Sequence, residues 1–384
     1  MIEISTTLLD PQVIDASTLQ PKITSNIYLQ PSVEGGMTAT GTANVGVPLL
    51  ITRLDEAATA FGADSSLYRI IFALLNRGAG PVIAIASATG TAPTLAQRQA
   101  AWQKLESDER IRIRLTDSEL QADFAALAVS CANANLIYNK QIAFVGMPSG
   151  TSKANIIAAA TAITAGGQEP ASRTVLVAPG VYDGQGVLRG GSFAAACVAA
   201  EVAKNADPGN DLDLWDIPML LALELDGSGL PVFRRQVVAG VPKDDFEDLL
   251  QAGVSPLQPS RVAGGVATTH LRMAYSTNTT YDSLYTRIIV DQLFIDVKAY
   301  IYSNNYFRRG NTQETRDKLR SGVEAILLER RAWLLPVPQP DGTLGNSVTV
   351  VPSTDMRQVT VGYEGIVVRG ISTIKVAANL TIPV

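Results

Sequence analysis

Histidine is the side chain best suited to move protons near neutral pH, and this sequence holds one, His270, in the stretch TTHLRM. There is no second histidine, no H-E-x-x-H and no paired cysteine spacing, so His270 reads as a packed or surface residue and no metal site is expected. The two cysteines, Cys131 and Cys197, lie among small residues (AVSCANA and AAACVAA), where a buried free thiol is expected. A nucleophile elbow, G-x-S-x-G, is missing; Ser192 sits in GGSFA, whose fifth residue is Ala194.

Two glycine-rich stretches could cradle a phosphate. In 146–153 (GMPSGTSK) three residues separate the glycines where a phosphate loop has four, and Lys153 does not directly follow Gly150. In 184–190 (GQGVLRG) the spacing misses G-x-G-x-x-G by one residue, and the loop starts too far past its strand for a dinucleotide turn. Both read as loops over a sheet. The acidic run Asp244, Asp245, Glu247, Asp248 could hold a cation, but at a predicted helix start its carboxylates complement the helix dipole. Asp211 and Asp213 read as a solvated loop. Arg316, Lys318, Arg320, Arg330 and Arg331 lie along one predicted helix, as a solvated face or a contact surface.

The elements that must carry these residues alternate. Strand-like segments at 47–51, 81–87, 111–115, 141–145 and 174–178 are followed or separated by helical ones at 52–61, 65–76, 94–107, 118–133, 152–165 and 192–204. This alternation predicts an α/β fold with a largely parallel sheet at 46–255. Strands at 218–225 and 231–238 and a helix at 243–252 close that domain. A C-terminal α+β domain is expected at 256–370: two long helices plus terminal strands. The first helix carries a stripe of Leu284, Tyr285, Ile288, Ile289, Leu293, Val297, Tyr300 and Ile301, with Arg287, Asp291 and Lys298 opposite. The second, 312–333, is expected to be capped by Asn311 and to bury Leu319, Val323, Ile326 and Leu327.

Extended arms are expected at both ends. Residues 1–45 have prolines at 11, 21 and 31 and few large apolar groups, with an extended piece around Ile23, Ile27 and Leu29. Residues 371–384 form a strand arm in which Ile374, Val376, Ala378, Leu380 and Ile382 alternate along one face. A strand with no chain left to cover its edge calls for a partner strand.

Composition points the same way. Charged residues make up 17% and hydrophobic ones 46% of 384, so much of the surface is neutral, which favours assembly. The net charge of −5 argues against direct nucleic-acid binding. Residues 1–260 carry 17 basic and 26 acidic groups and 261–335 carry 11 and 7, so opposite balances face any partner. The opening MIEISTTLLDPQ has no signal-peptide pattern and no run is long and apolar enough for membrane insertion, so folding in a cytoplasm is expected.

In order, these segments resemble the contractile tail sheath family of myophages, R-type bacteriocins and related injection systems. Residues 47–62 (VPLLITRLDEAATAFG) look like its strand-then-helix opening ending in Phe-Gly, and 65–86 is similar to its next helix and strand. The 177–180 VAPG, the Ala-rich helix from Ser192, the 207–210 DPGN and the C-terminal helices and strands follow in the family's order. The resemblance implies a virion structural protein of a phage tail or injection machine with no cofactor and no catalysis. Its copies would stack in rings around an inner tail tube, with baseplate and tail terminator proteins at the ends, assembled in a host bacterial cytoplasm. Ile23, Ile27, Leu29, Ile374, Val376, Ala378, Leu380 and Ile382 would link subunits by strand exchange. Arg316, Lys318, Arg320, Arg330 and Arg331 would face the tube. The alternative reading is a nucleotide- or dinucleotide-binding α/β enzyme.

Overall fold

The computed structural model describes residues 29–204, 215–218, 220–238, 241–260, 264–274 and 283–330, and then 334–335, 337–338, 344–345, 347–352, 359–367 and 373–376. The chain divides into two compact units, one spanning 26–284 and the other built on 285–384.

The first unit runs β1 (Pro31–Met37), β2 (Leu49–Ile51), α1 (Leu54–Phe61), α2 (Ser66–Leu75), β3 (Val82–Thr89), α3 (Leu95–Glu106), β4 (Ile113–Thr116), α4 (Gln121–Leu136), β5 (Ile142–Gly146), α5 (Lys153–Ala165), α6 (Gln168–Ala171) and β6 (Thr174–Ala178). It continues with β7 (Val181–Asp183), β8 (Leu188–Arg189), α7 (Gly191–Lys204), β9 (Asp216–Ile217), β10 (Leu220–Leu223), β11 (Arg235–Val238), β12 (Val241–Asp244), α8 (Asp245–Gln251), β13 (Val254–Pro259) and β14 (Val266–Thr268). Helix starts follow from capping. Ser65 accepts from the Tyr68 amide, Ser152 from that of Asn155, and Thr94 and Gln97 cap each other at α3. At α1, Glu56 reaches back, accepting from the amides of Thr52 and Arg53.

The main sheet has the order β2-β3-β1-β4-β5-β6-β13-β14-β9. Strands from β3 to β13 in that order pair in parallel; β2, β14 and β9 join antiparallel. The parallel strands are buried on both faces, which explains their unbroken apolar runs. On one side Trp102, Phe124, Leu127, Ile156, Ile163, Leu176, Phe246 and Leu249 form a single core. Elsewhere α7 is buried almost throughout, its alanines letting helix and sheet approach closely.

The expected N-terminal arm of 1–45 is corrected here. Residues 31–37 form β1, the strand between β3 and β4, with Val33 opposite both Ala84 and Leu115. PSVEGGM hid this because its central residue is a charge and its other members are small, so no apolar run marks it. Leu29 is likewise buried, its amide donating to the Ala203 carbonyl at 3.4 Å. The expected border at 255 falls inside β13, which pairs with β6, and the division into units comes at 284–285.

The second unit contains α9 (Leu284–Ser303), α10 (Gln313–Glu329) and the short strands β15 (Leu334–Leu335), β16 (Val337–Pro338), β17 (Leu344–Gly345), β18 (Ser347–Pro352), β19 (Val359–Val367) and β20 (Thr373–Val376). The predicted stripes of both helices are buried at most positions, including Leu293, Val297, Ile301, Leu319, Val323 and Leu327. Arg287 and Asp291, expected on the exposed side, are instead buried and 3.5 Å apart, because the first turns of α9 are covered all round. Thr312, not Asn311, caps α10 by accepting from the Thr315 amide at 3.2 Å. Gly322 lets the two helices close: a Cβ there would meet the Tyr300 hydroxyl at 1.9 Å. β18, β19 and β20 form an antiparallel sheet, β20 pairing with β19 through Ile374 opposite Gly365 and Val376 opposite Tyr363.

Candidate functional site

In a parallel sheet whose strand order reverses, the crevice at the carboxyl ends on either side of the reversal is where ligands bind. Here the reversal lies between β1 and β4, and the chain fills the crevice with its own charges. Arg98, from α3, places Nη1 3.0 Å from the Glu34 carboxylate of β1 and 2.5 Å from Asp117, just past β4; its Nε lies 3.1 Å from Asp123 of α4. Ser87 and Thr116 donate to Glu34, and Ser66 and the Gly36 amide donate to Asp117. All four charged side chains are buried. One guanidinium faces three carboxylates, and burial pushes Glu34 up to about 6 despite Arg98 beside it, with Asp117 adding repulsion. Gly35 is required at this point, since a Cβ would meet the Asp117 carboxyl at 2.6 Å.

The two glycine-rich loops are filled in the same way. Glu224, buried, accepts from the amides of Gly150 and Gly180, and so stands where a phosphate on the 146–153 loop would stand. Lys153 is turned away from that position. Its Nζ pairs with Asp245 at 2.7 Å and Asp248 at 2.6 Å, joining the loop to the acidic start of α8. Asp244 caps α8 by accepting from the amides of Phe246 and Glu247. The acidic run thus serves a helix terminus and a lysine. At the start of α7 the Glu119 carboxylate accepts from the Ser192 amide at 3.1 Å and hydroxyl at 2.7 Å, occupying the helix terminus that an anion would use. Burial raises its pKa. The glycines there serve close packing: a Cβ on Gly190 would meet Glu119 at 2.0 Å, and one on Gly146 would meet the Gly191 carbonyl at 2.2 Å. Asp183 closes the 184–187 turn by accepting from the amides of Gln185 and Val187, and it pairs with Arg189 at 2.7 Å.

Cys131 and Cys197 are free and buried, and burial pushes their thiols up to about 11 and about 12. His270 is partly buried in the segment after β14. No group of three or more metal-ligating side chains occurs among the described residues, nor any helix long and apolar enough to cross a membrane.

Of the expected strand-arm residues, Leu29 belongs to the core of its own unit, Ile374 and Val376 lie in β20, and Ile23, Ile27, Ala378, Leu380 and Ile382 fall outside the described residues. The expected basic residues do not form a bare positive surface. Arg316 donates to Asn311 and Gln313, Lys318 pairs with Glu314 at 2.6 Å, Arg320 lies 3.9 Å from Asp317, and Arg330 pairs with Asp296 of α9 at 2.8 Å. Arg331 is outside the described residues. Sequence reasoning missed the Arg98 cluster altogether. Its members are scattered over 34–123, and only the fold brings them together.

Neither the family models nor the curated proteins contain a match to this chain. Solved structures do. The sheath tail protein of Desulfitobacterium hafniense superimposes with a TM-score of 0.66 at 12% identity, covering 93% of this chain and 97% of that one. The sheath tail protein of Listeria innocua gives 0.65 at 10% identity over 92% and 94%. A chain of the anti-feeding prophage baseplate gives 0.65 at 12% identity over 92% of each. The contracted sheath of an extracellular contractile injection system gives 0.60 at 12% identity over 93% and 91%. The fold, over nearly its whole length, is that of contractile sheath proteins.

Proposed function

We propose that this chain is a structural subunit of a contractile tail sheath. Its copies polymerise around an inner tube and shorten to drive that tube through a target envelope. The observation that carries the reading is the near full-length likeness to sheath proteins, including those of contracted assemblies. In this reading the particle is a phage tail or phage-like injector assembled in a host bacterial cytoplasm, with tube, baseplate and terminator proteins as partners. Contraction rotates subunits between two packings while strand linkages persist, so the energy is stored in conformation.

The enzyme alternative loses its chemical basis at three places. The switch-point crevice, the 146–153 loop and the α7 terminus each present their donors to a carboxylate of the chain itself. A nucleotide phosphate would have to displace Asp117, Glu224 or Glu119 to reach them.

Negative-stain electron microscopy of the purified protein at high concentration tests the proposal, with hollow cylinders or stacked rings expected. A dispersed monomer that stays dispersed with a tube present would reject it. Deleting 372–384 should leave folded subunits that no longer form sheath; unchanged polymerisation would remove the C-terminal strand from the linkage.

A further inference from the structure

Between β4 and α4 the chain crosses the carboxyl end of the sheet in a short loop, Asp117 to Leu120. The loop has no apolar anchor, since Leu120, its one large apolar residue, is 63% exposed. Polar groups turned inward hold it instead. Asp117 accepts from the Gly36 amide of β1 and the Ser66 hydroxyl of α2, and its own amide donates to the Glu34 carbonyl. Glu119 accepts from the amide and hydroxyl of Ser192 at the start of α7. Ser118 donates to Asp123 in the first turn of α4. A segment tied down by polar contacts, with no buried apolar side chain of its own, can open while the rest of the fold stays closed.

These anchors carry more negative charge than the fold compensates. Facing Glu34 are Arg98 from α3, Asp117 from the loop and Asp123 from α4. Ser87 of β3 and Thr116 of β4 are its neutral donors, and Arg114 of β4 is a more distant cation. Facing Glu119 are Ser192 of α7, Asp117 beside it in the loop and Arg69 of α2. Arg98 must therefore serve three buried carboxylates. Its Nη1, with two protons to give, faces Glu34, Thr116 and Asp117 together. Out of water, an excess of like charge is relieved by binding a proton. Burial, with added repulsion from Asp117, accordingly holds both Glu34 and Glu119 above the ordinary carboxylate range.

We propose that the 117–120 loop is a proton-operated latch on the first unit. With protons on Glu34 and Glu119 it lies closed against β1, α2 and α7, and their ionisation makes it open more often, locally. The sign follows from the charge excess. The closed fold favours the protonated acids, so the latch is tightest in mild acid and loosens as pH rises through about 6. All of these groups belong to one unit, so the latch does not depend on what the chain assembles into.

Amide hydrogen exchange of the full-length chain, kept dilute and corrected for the intrinsic pH dependence of exchange, reads the latch directly. The reporters are the amides of Gly36, Asp117 and Ser192. A carboxyl moved from 4.5 to about 6 should make protection at Gly36 and Asp117 roughly eightfold lower at pH 7.5 than at pH 5. In Glu34→Gln, neutral throughout, that step should vanish and protection should stay high. Glu119→Gln should remove the step at Ser192 and keep it at Gly36. The Ser228 amide, held by Asp226 in the same unit, should show no step, because the lowered pKa of Asp226 keeps it ionised across the range. Protection at Gly36 and Asp117 that is flat with pH, or that falls equally in Glu34→Gln, would overturn the proposal. An equal step at Ser228 would also overturn it, by placing the effect on the whole unit. Should Glu34→Gln fail to fold, infrared spectra of the parent labelled with ¹³C-glutamate decide instead. A protonated glutamic acid band present at pH 6 and gone at pH 7.5 is expected, and its absence at pH 6 would overturn the proposal.

Discussion

Arg98 in the first unit and Lys318 in the second both sit against carboxylates, and the two sites behave oppositely because of where the water is. Around Arg98 the four charged groups are buried, so attraction between them is strong and the loss of one leaves others stranded. Lys318 and Glu314 pair at 2.6 Å on an exposed helix face, where water screens both and the pair adds little to stability. Buried charges here hold a crevice shut and fix the sheet. Exposed ones are free to exchange their partner for another molecule's.

The largest break in this comparison comes from Arg98→Met. It removes the one cation that, among the described residues, pairs with Glu34 and Asp117, and leaves three buried carboxylates together. A loss of about 3–5 kcal/mol is expected by chemical denaturation. A loss below about 1 kcal/mol would mean that the cluster opens to water. Lys318→Met should move the same transition by an amount too small to resolve.

Glu34→Gln sharpens the point through pH. Glu34 is raised from 4.5 to about 6 in the fold, so its protonated form is the one the fold favours. Its stabilisation is fully present below about pH 4.5 and is lost as pH rises through 6. The groups facing it are Arg98 from α3, Asp117 after β4 and Asp123 from α4, with Arg114 of β4 a more distant positive influence. Glutamine stays neutral at every pH, so the variant should match the parent near pH 4.5 and exceed it near pH 7, by on the order of 2 kcal/mol. Asp183, Asp226 and Asp244, whose pKa values are lowered, lose their stabilisation as pH falls below 3.8, outside this window. Parallel pH curves for parent and variant would refute the role given to Glu34.

The two regions also differ in how openly the sequence declares them. Strands such as 82–89 and 174–178 announce themselves because burial on both faces demands an apolar run. β1 does not, because Glu34 is tolerated inside only by virtue of Arg98, 64 residues away. A charge whose partner is that distant in sequence reads as a surface residue until the fold is known. The glycines at 146 and 190 raised the question of a phosphate cradle, which their spacing already answered against; what spacing could not tell is that they are small because backbone and Glu119 crowd them. On α10 the positive residues were legible as a row, but the acids that neutralise them lie three or four positions away on the same helix, or on α9 for Arg330. Counting charges along one row does not reveal their partners.

The smallest effect expected is the one that decides whether the α10 pairs serve assembly. If Lys318 and Arg320 trade Glu314 and Asp317 for acidic groups on the tube, then Lys318→Glu with Arg320→Glu should leave the melting curve of the free subunit little changed, because Lys318, Glu314 and Asp317 are exposed and Arg320 is half-exposed. Co-sedimentation with purified tube should then weaken several-fold at low salt, where the screening length exceeds about 10 Å, and the gap should close as salt is raised. Arg320, at 3.9 Å from Asp317, is the looser of the two and should contribute more when reversed alone, since less is given up in leaving its present partner. Equal binding by parent and double variant at low salt would move the tube contact off α10. A defect that persists undiminished at high salt would point to lost packing rather than lost charge.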